Sequence, residues 1–131
     1  MIALDTSVVV RVLTRDDPRQ AEVATRVMTS ERLWLCKTVI LETEWVLRHL
    51  YHLNREAIDS GFRRLLGFRR LEVEDRAAVG RALAWYAKGM DFADALHLAS
   101  SRAALQLVTF DRDMALTARG LADCPPVELL R

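Results

Sequence analysis

The chain has 131 residues, 51% hydrophobic and 28% charged, with a formal net charge of +1. That is the size and mix of one ordinary domain, 1–131, with its own core; it excludes a disordered, collagen-like or low-complexity chain. The near-neutral balance excludes a broadly basic nucleic-acid binder, and no apolar run approaches the ~18 residues of a membrane span.

Met1 to Asp5 has no basic lead and reaches an acid at position 5, so no signal peptide is expected there. Cys36 and Cys124 form no metal or redox spacing and read as reduced packing residues of a cytoplasmic protein with no membrane partner. Of the 19 basic residues only Lys37 and Lys88 are lysines. The arginine bias suits phosphate or carboxylate contacts, although codon composition is the simpler explanation.

Ile2-Ala3-Leu4 reads as a buried strand closed by Asp5-Thr6-Ser7, turning into a helix over Val8 to Leu13. Asp17-Pro18 is an N-cap with proline at the first helical position, opening a helix to about Thr29. Leu33 to Cys36 is a second buried strand, after which Thr38 is expected to cap a helix. Asn54 caps Arg55 to Leu66, which Gly67 ends. Leu71-Glu72-Val73 is a short strand, and Asp75 is expected to cap the helix that Gly89 closes. Asp91 opens another helix, Gln106 to Phe110 is the strongest strand signal, and Asp111 opens a helix to about Arg119. Cys124-Pro125-Pro126 precedes a last strand at Val127 to Leu129. Strands alternating with helices throughout predict an α/β fold with a parallel sheet.

Ligands in open parallel sheets bind beyond the carboxyl ends of strands. Two strands here end in an acid, Asp5 and Asp111, and such ends share one edge of a parallel sheet. Glu42 in an early turn of its helix, and Asp91 with Asp94 three apart on another, are expected at the same edge. Taken singly, Asp5, Asp91 and Asp111 each read first as N-caps, and Asp113 as a first-turn acid favoured by the helix dipole. Glu42, among Ile40, Leu41, Trp45 and Val46, stands out more than Glu44. Taken together, clustered carboxylates need a compensating charge. Oxygen ligands without His or Cys suit Mg²⁺ or Mn²⁺ rather than Zn²⁺, and a carboxylate-held cation suits phosphoester hydrolysis.

Leu4-Asp5-Thr6-Ser7-Val8-Val9-Val10-Arg11 with Asp16-Asp17-Pro18, Val39-Ile40-Leu41-Glu42 with Trp45-Val46-Leu47, Asp91-Phe92-Ala93-Asp94-Ala95-Leu96 and Thr109-Phe110-Asp111 resemble, in this order, the PIN-domain family. Within it they resemble the VapC-type toxins of type II toxin–antitoxin pairs. The resemblance implies an α/β/α sandwich with a mostly parallel central sheet, and a Mg²⁺- or Mn²⁺-dependent ribonuclease. The family's four core acids fall on Asp5, Glu42, Asp94 and Asp111. Asp91 matches an accessory acid, Thr6 and Thr109 match the accompanying hydroxyls, and Asp113 matches less firmly. Asp5, Asp94 and Asp111 are expected to hold the metal, while Glu42 orients or deprotonates the nucleophile. The resemblance also implies an RNA substrate, a small cognate antitoxin protein and a homodimer.

Other readings place strand-end acids differently. A phosphoacceptor receiver domain needs a lysine after a late strand, and neither Lys37 nor Lys88 is so placed. A haloacid-dehalogenase-like hydrolase needs a second Asp two residues after the first, where this chain has Ser7. A catalytically silent PIN-like module that binds RNA or protein keeps the fold without needing a metal. Arg11, Arg15 and Arg112 lie beside the motifs, either as phosphate contacts or as solvated surface residues.

Overall fold

The computed structural model describes residues 1–131 as two compact units, Met1–Arg76 and Ala77–Arg131. In the first unit, β1 (Ile2–Ala3), β2 (Leu33–Leu35) and β3 (Leu71–Val73) form a parallel sheet in the order β1-β2-β3. The register pairs Ile2 with Leu33 and Leu33 with Leu71. Leu33 and Leu35 are fully buried while Trp34 between them is half-buried, the period-two signature of a sheet with one covered face. Burying each leucine contributes on the order of 2 kcal/mol.

Helices α1 (Thr6–Thr14) and α2 (Pro18–Ser30) follow β1, and α3 (Lys37–His49) and α4 (Arg55–Leu66) follow β2. Asp5, Asp17 and Asn54 cap α1, α2 and α4 through their side chains, as their positions predict. At α3 the expectation fails. Cys36, not Thr38, is the N-cap, and it makes no side-chain cap bond. The Lys37 amide instead donates to Glu74 Oε1 at 2.9 Å, a carboxylate supplied from just beyond β3. Asp75, immediately before the next helix, sits in the left-handed region at φ 52°, with Oδ2 3.4 Å from Lys37 Nζ.

The second unit carries α5, which begins at the boundary (Arg76–Ala87), then α6 (Phe92–Ala99), β4 (Leu107–Thr109), α7 (Arg112–Arg119) and β5 (Val127–Leu129). Gly89, at φ 112°, makes the turn out of α5 that a side chain would resist. Tyr86 and Phe92 pack edge to face across that turn, with ring centroids 5.2 Å apart. β4 and β5 pair in parallel, Leu107 with Val127 and Thr109 with Leu129, and α7 packs on both. Every strand pairing in the chain is thus parallel, as expected of the α/β class. The strands are divided between a three-stranded and a two-stranded sheet, so β1 and β4 belong to different sheets. No helix is long and apolar enough to cross a membrane.

Candidate active site

The first group of acids is built by β1 and β2. Being parallel neighbours, they end on the same side, so α1 and α3 start there together. Thr6, the first residue of α1, meets Glu42 in the second turn of α3. Its hydroxyl donates to Glu42 Oε1. Thr6 is buried, while Asp5 and Glu42 are exposed. Asp5 Oδ2 accepts from the Ser7 hydroxyl at 3.0 Å and from the Ser7 amide at 3.4 Å. These bonds, the hydroxyl's first, hold the Asp5 carboxyl below its ordinary pKa, so it favours the anion.

Asp5, Thr6, Ser7 and Glu42 line a cavity of about 360 Å³ whose other wall includes Val10, Arg11, Val46, Leu50 and Tyr51. Arg11 is fixed at its rim. Its Nε donates to Gln20 Oε1 at 2.6 Å, and its Nη1 donates to Asp16 Oδ1 at 3.2 Å and to the Tyr51 hydroxyl at 2.9 Å. Tyr51 in turn donates to Asp16 Oδ2 at 2.8 Å. These Tyr51 bonds join residues 35 and 40 positions apart, so no local pattern in the sequence announces them.

The second group lies in the second unit. Asp91 caps α6 by accepting from the Asp94 amide at 3.2 Å, which fixes the turn carrying Asp94. Asp94 is half-buried, and its carboxyl is raised above its ordinary pKa. Burial is the largest cause, followed by the negative charges of Asp91 and Asp111, with His97 opposing. Asp111 caps α7 by accepting from the Met114 amide at 3.1 Å. Thr109 shapes the approach, its Oγ1 accepting from the Asp111 amide at 2.9 Å. Asp113 is exposed in the first turn of α7, where the helix dipole favours an acid. Asp5, Asp91 and Asp111 are therefore all N-caps, as each reads when taken singly, and Asp94 is the one that bears repulsion.

Glu42 and Glu44 differ in burial, and it is Glu44 that is buried. Ile40, Thr43, Glu44 and Leu47 form the buried stripe of α3, at the i, i+3, i+4, i+7 spacing of a helix face. Glu44 lies on that stripe at 2% exposure, and Arg48 grips its two oxygens from Nε at 2.8 Å and Nη2 at 3.2 Å. Glu42 lies off the stripe, on the side that faces Thr6.

Residues 2–120 match the family model described as PIN domain. No curated protein matches the chain. Among solved structures, the chain is similar to Mycobacterium tuberculosis VapC20, described as a sarcin-ricin loop cleaving toxin. The two are 22% identical with a TM-score of 0.43, over 96% of this chain and 100% of that one. Because the family model spans nearly the whole sequence, the chain belongs to the PIN-domain family.

Proposed function

We propose that this chain is a divalent-metal-dependent ribonuclease, the toxin of a type II toxin–antitoxin pair. In this reading residues 1–131 work as one PIN-like domain, and Asp5, Glu42, Asp94 and Asp111 serve one phosphodiester hydrolysis. The observation that carries the reading is Asp94, a half-buried carboxyl set against the charges of Asp91 and Asp111. Carboxylates held against their own repulsion mark a site for a compensating cation. Membership of the PIN family supports the same chemistry.

In neither unit do three His, Cys, Asp or Glu side chains stand together at metal-holding distance. The fit is one of donor chemistry: carboxylate oxygens with neither His nor Cys, which suit Mg²⁺ or Mn²⁺. Asp5, Asp94 and Asp111 would hold the ion, which when bound offsets phosphodiester charge and acidifies water. The chain's own residues do the rest. Thr6 anchors Glu42 by Oε1 and leaves Oε2 to take a proton from the attacking water. Asp91 and Thr109 hold the turns that present Asp94 and Asp111. Single-stranded RNA or loops are the better substrate, because a lone strand can bring a phosphate down to the half-buried Asp94.

The motif resemblance to VapC-type toxins supports a small antitoxin partner and a homodimer, both readable by size-exclusion chromatography of the co-expressed pair. The test of the function is cleavage of an unstructured RNA and of a perfect duplex, in Mn²⁺ and in chelator. Metal-dependent cutting of the single strand, with the duplex cut far less, is expected. A module that only binds predicts no cleavage, and no heat on titration with Mn²⁺.

A further inference from the structure

The second unit carries a basic groove outside the acids. It has a volume of about 580 Å³ and runs between α7 and the end of β5, lined by Phe110, Arg112, Leu116, Arg119, Leu129 and Arg131 among others. Arg112 and Arg119 stand seven residues apart, two turns and about 10.5 Å along the same side of α7. Both are exposed, and neither guanidinium takes part in an ion pair or hydrogen bond within the protein. Arg11, Arg48 and Arg63, by contrast, are paired with Asp16, Glu44 and Asp59. No acid lines the groove. At its mouth Phe110 is 77% exposed and Leu116 55% exposed, so a flat aromatic face lies beside free cationic forks.

We propose that this groove binds single-stranded RNA, with Arg112 and Arg119 on two phosphates and a base stacked on Phe110. Planar guanidinium forks match phosphate oxygens, and an exposed ring is a sequence-tolerant platform for an unpaired base. Phe110 and Arg112 flank Asp111 in the sequence, so RNA seated here approaches one of the acids assigned to hydrolysis. The proposal deepens the ribonuclease reading and rests on it for the identity of the substrate. An acidic protein segment would use the arginines but gain nothing specific from an unpaired base, which is why RNA is favoured.

The test is fluorescence anisotropy of a labelled single-stranded RNA in chelator, from about 50 to 200 mM salt. Binding is read without cleavage, so a failure of the nuclease reading appears separately, as a wild type that binds in chelator but does not cut the same strand in Mn²⁺. The Arg112→Gln/Arg119→Gln double variant should lower the slope of log affinity against log salt by about 1.4, at ~0.7 per phosphate contact. The Lys/Lys double variant should retain most of the slope, because the charge remains. Arg26→Gln, an exposed change on α2, should leave it nearly unchanged. Phe110→Ala should weaken binding at least about fivefold, and an abasic strand should lose that difference. An unchanged slope in the Gln/Gln variant overturns the proposal. So does an equal loss in Arg26→Gln, or a polyglutamate of matched charge competing as well as RNA.

Discussion

The Thr6 hydroxyl donates to the carboxylate of Glu42, 36 positions later in the chain. Thr6 is buried at the start of α1 and Glu42 is exposed on α3, so a fixed donor holds a side chain that would otherwise swing in solvent. Thr6→Val keeps the shape and removes the donor. Cleavage should fall about tenfold, the scale of losing an orienting partner, while Thr6→Ser should retain most of it. Steady-state rates on one RNA check this; full activity in Thr6→Val would show that the bond does not position Glu42.

Asp94 and Asp5 respond to pH with opposite signs. In chelator, the folded chain holds the Asp94 proton to higher pH than the unfolded chain does. Between the unfolded value of ~3.9 and the raised folded value, the folded state binds more protons, so this group's contribution to stability falls as pH rises. The penalty is absent below that window and complete above it. Asp94→Asn should therefore gain on wild type across the window and hold the gain above it. Asp5, whose pKa is lowered by Ser7, contributes stability above the unfolded value that is lost as pH falls, so Asp5→Asn should lose on wild type near neutrality. Urea midpoints from about pH 4 to pH 7 read both curves. Parallel curves for the three proteins would count against this division of charge.

A cation should reverse the order at Asp94. At ~100 times its dissociation constant it stabilises the folded wild type by ~2.7 kcal/mol, an upward melting shift of several degrees for a domain of this size. Asp94→Asn and Asp111→Asn should show little of that shift. Melting curves in chelator and in millimolar Mn²⁺ decide it. Capping without metal predicts no metal-dependent shift in any of the three.

Glu44 is expected to matter for folding rather than for chemistry. Glu44→Ala removes the buried carboxylate that Arg48 grips and should cost about 2 kcal/mol. Glu44→Gln should cost less and leave cleavage per folded molecule near wild type. A large loss of specific activity in folded Glu44→Gln would give this residue a role in the reaction.

What the sequence discloses is what local chemistry decides. Asp17-Pro18 and Asn54 cap their helices because an acceptor side chain and a fixed φ act within one turn. The strands Leu71–Val73 and Val127–Leu129 are bounded by turn residues a few positions away. Asp5, Asp94 and Asp111 are legible because each follows a strand or lies at the start of a helix, whereas Glu42 stands out only by its apolar neighbours and the family motif. The burial of Glu44 follows from helix spacing, since it shares one face with Ile40, Thr43 and Leu47, but its charge alone does not disclose it. The Arg11–Tyr51 bond spans 40 positions, and Glu74 serves the start of α3 from 37 positions away. Such pairings depend on which strands become neighbours, and no local spacing encodes that. The exposed Val108 and Phe110 within the strongest strand signal mark the same limit, because hydrophobicity reports the preference for β structure but not which face is covered.

The most direct measurement is cleavage of one unstructured RNA in Mn²⁺ by wild type and by Asp5→Asn, Glu42→Gln, Asp94→Asn and Asp111→Asn, each purified free of wild type and shown to be folded. Asp113→Asn serves as the control. The account predicts metal-dependent cleavage by wild type, a loss of at least about a hundredfold in each of the four, and little change in the control. Full cleavage by folded Asp94→Asn, or equal losses in all five variants, would contradict it.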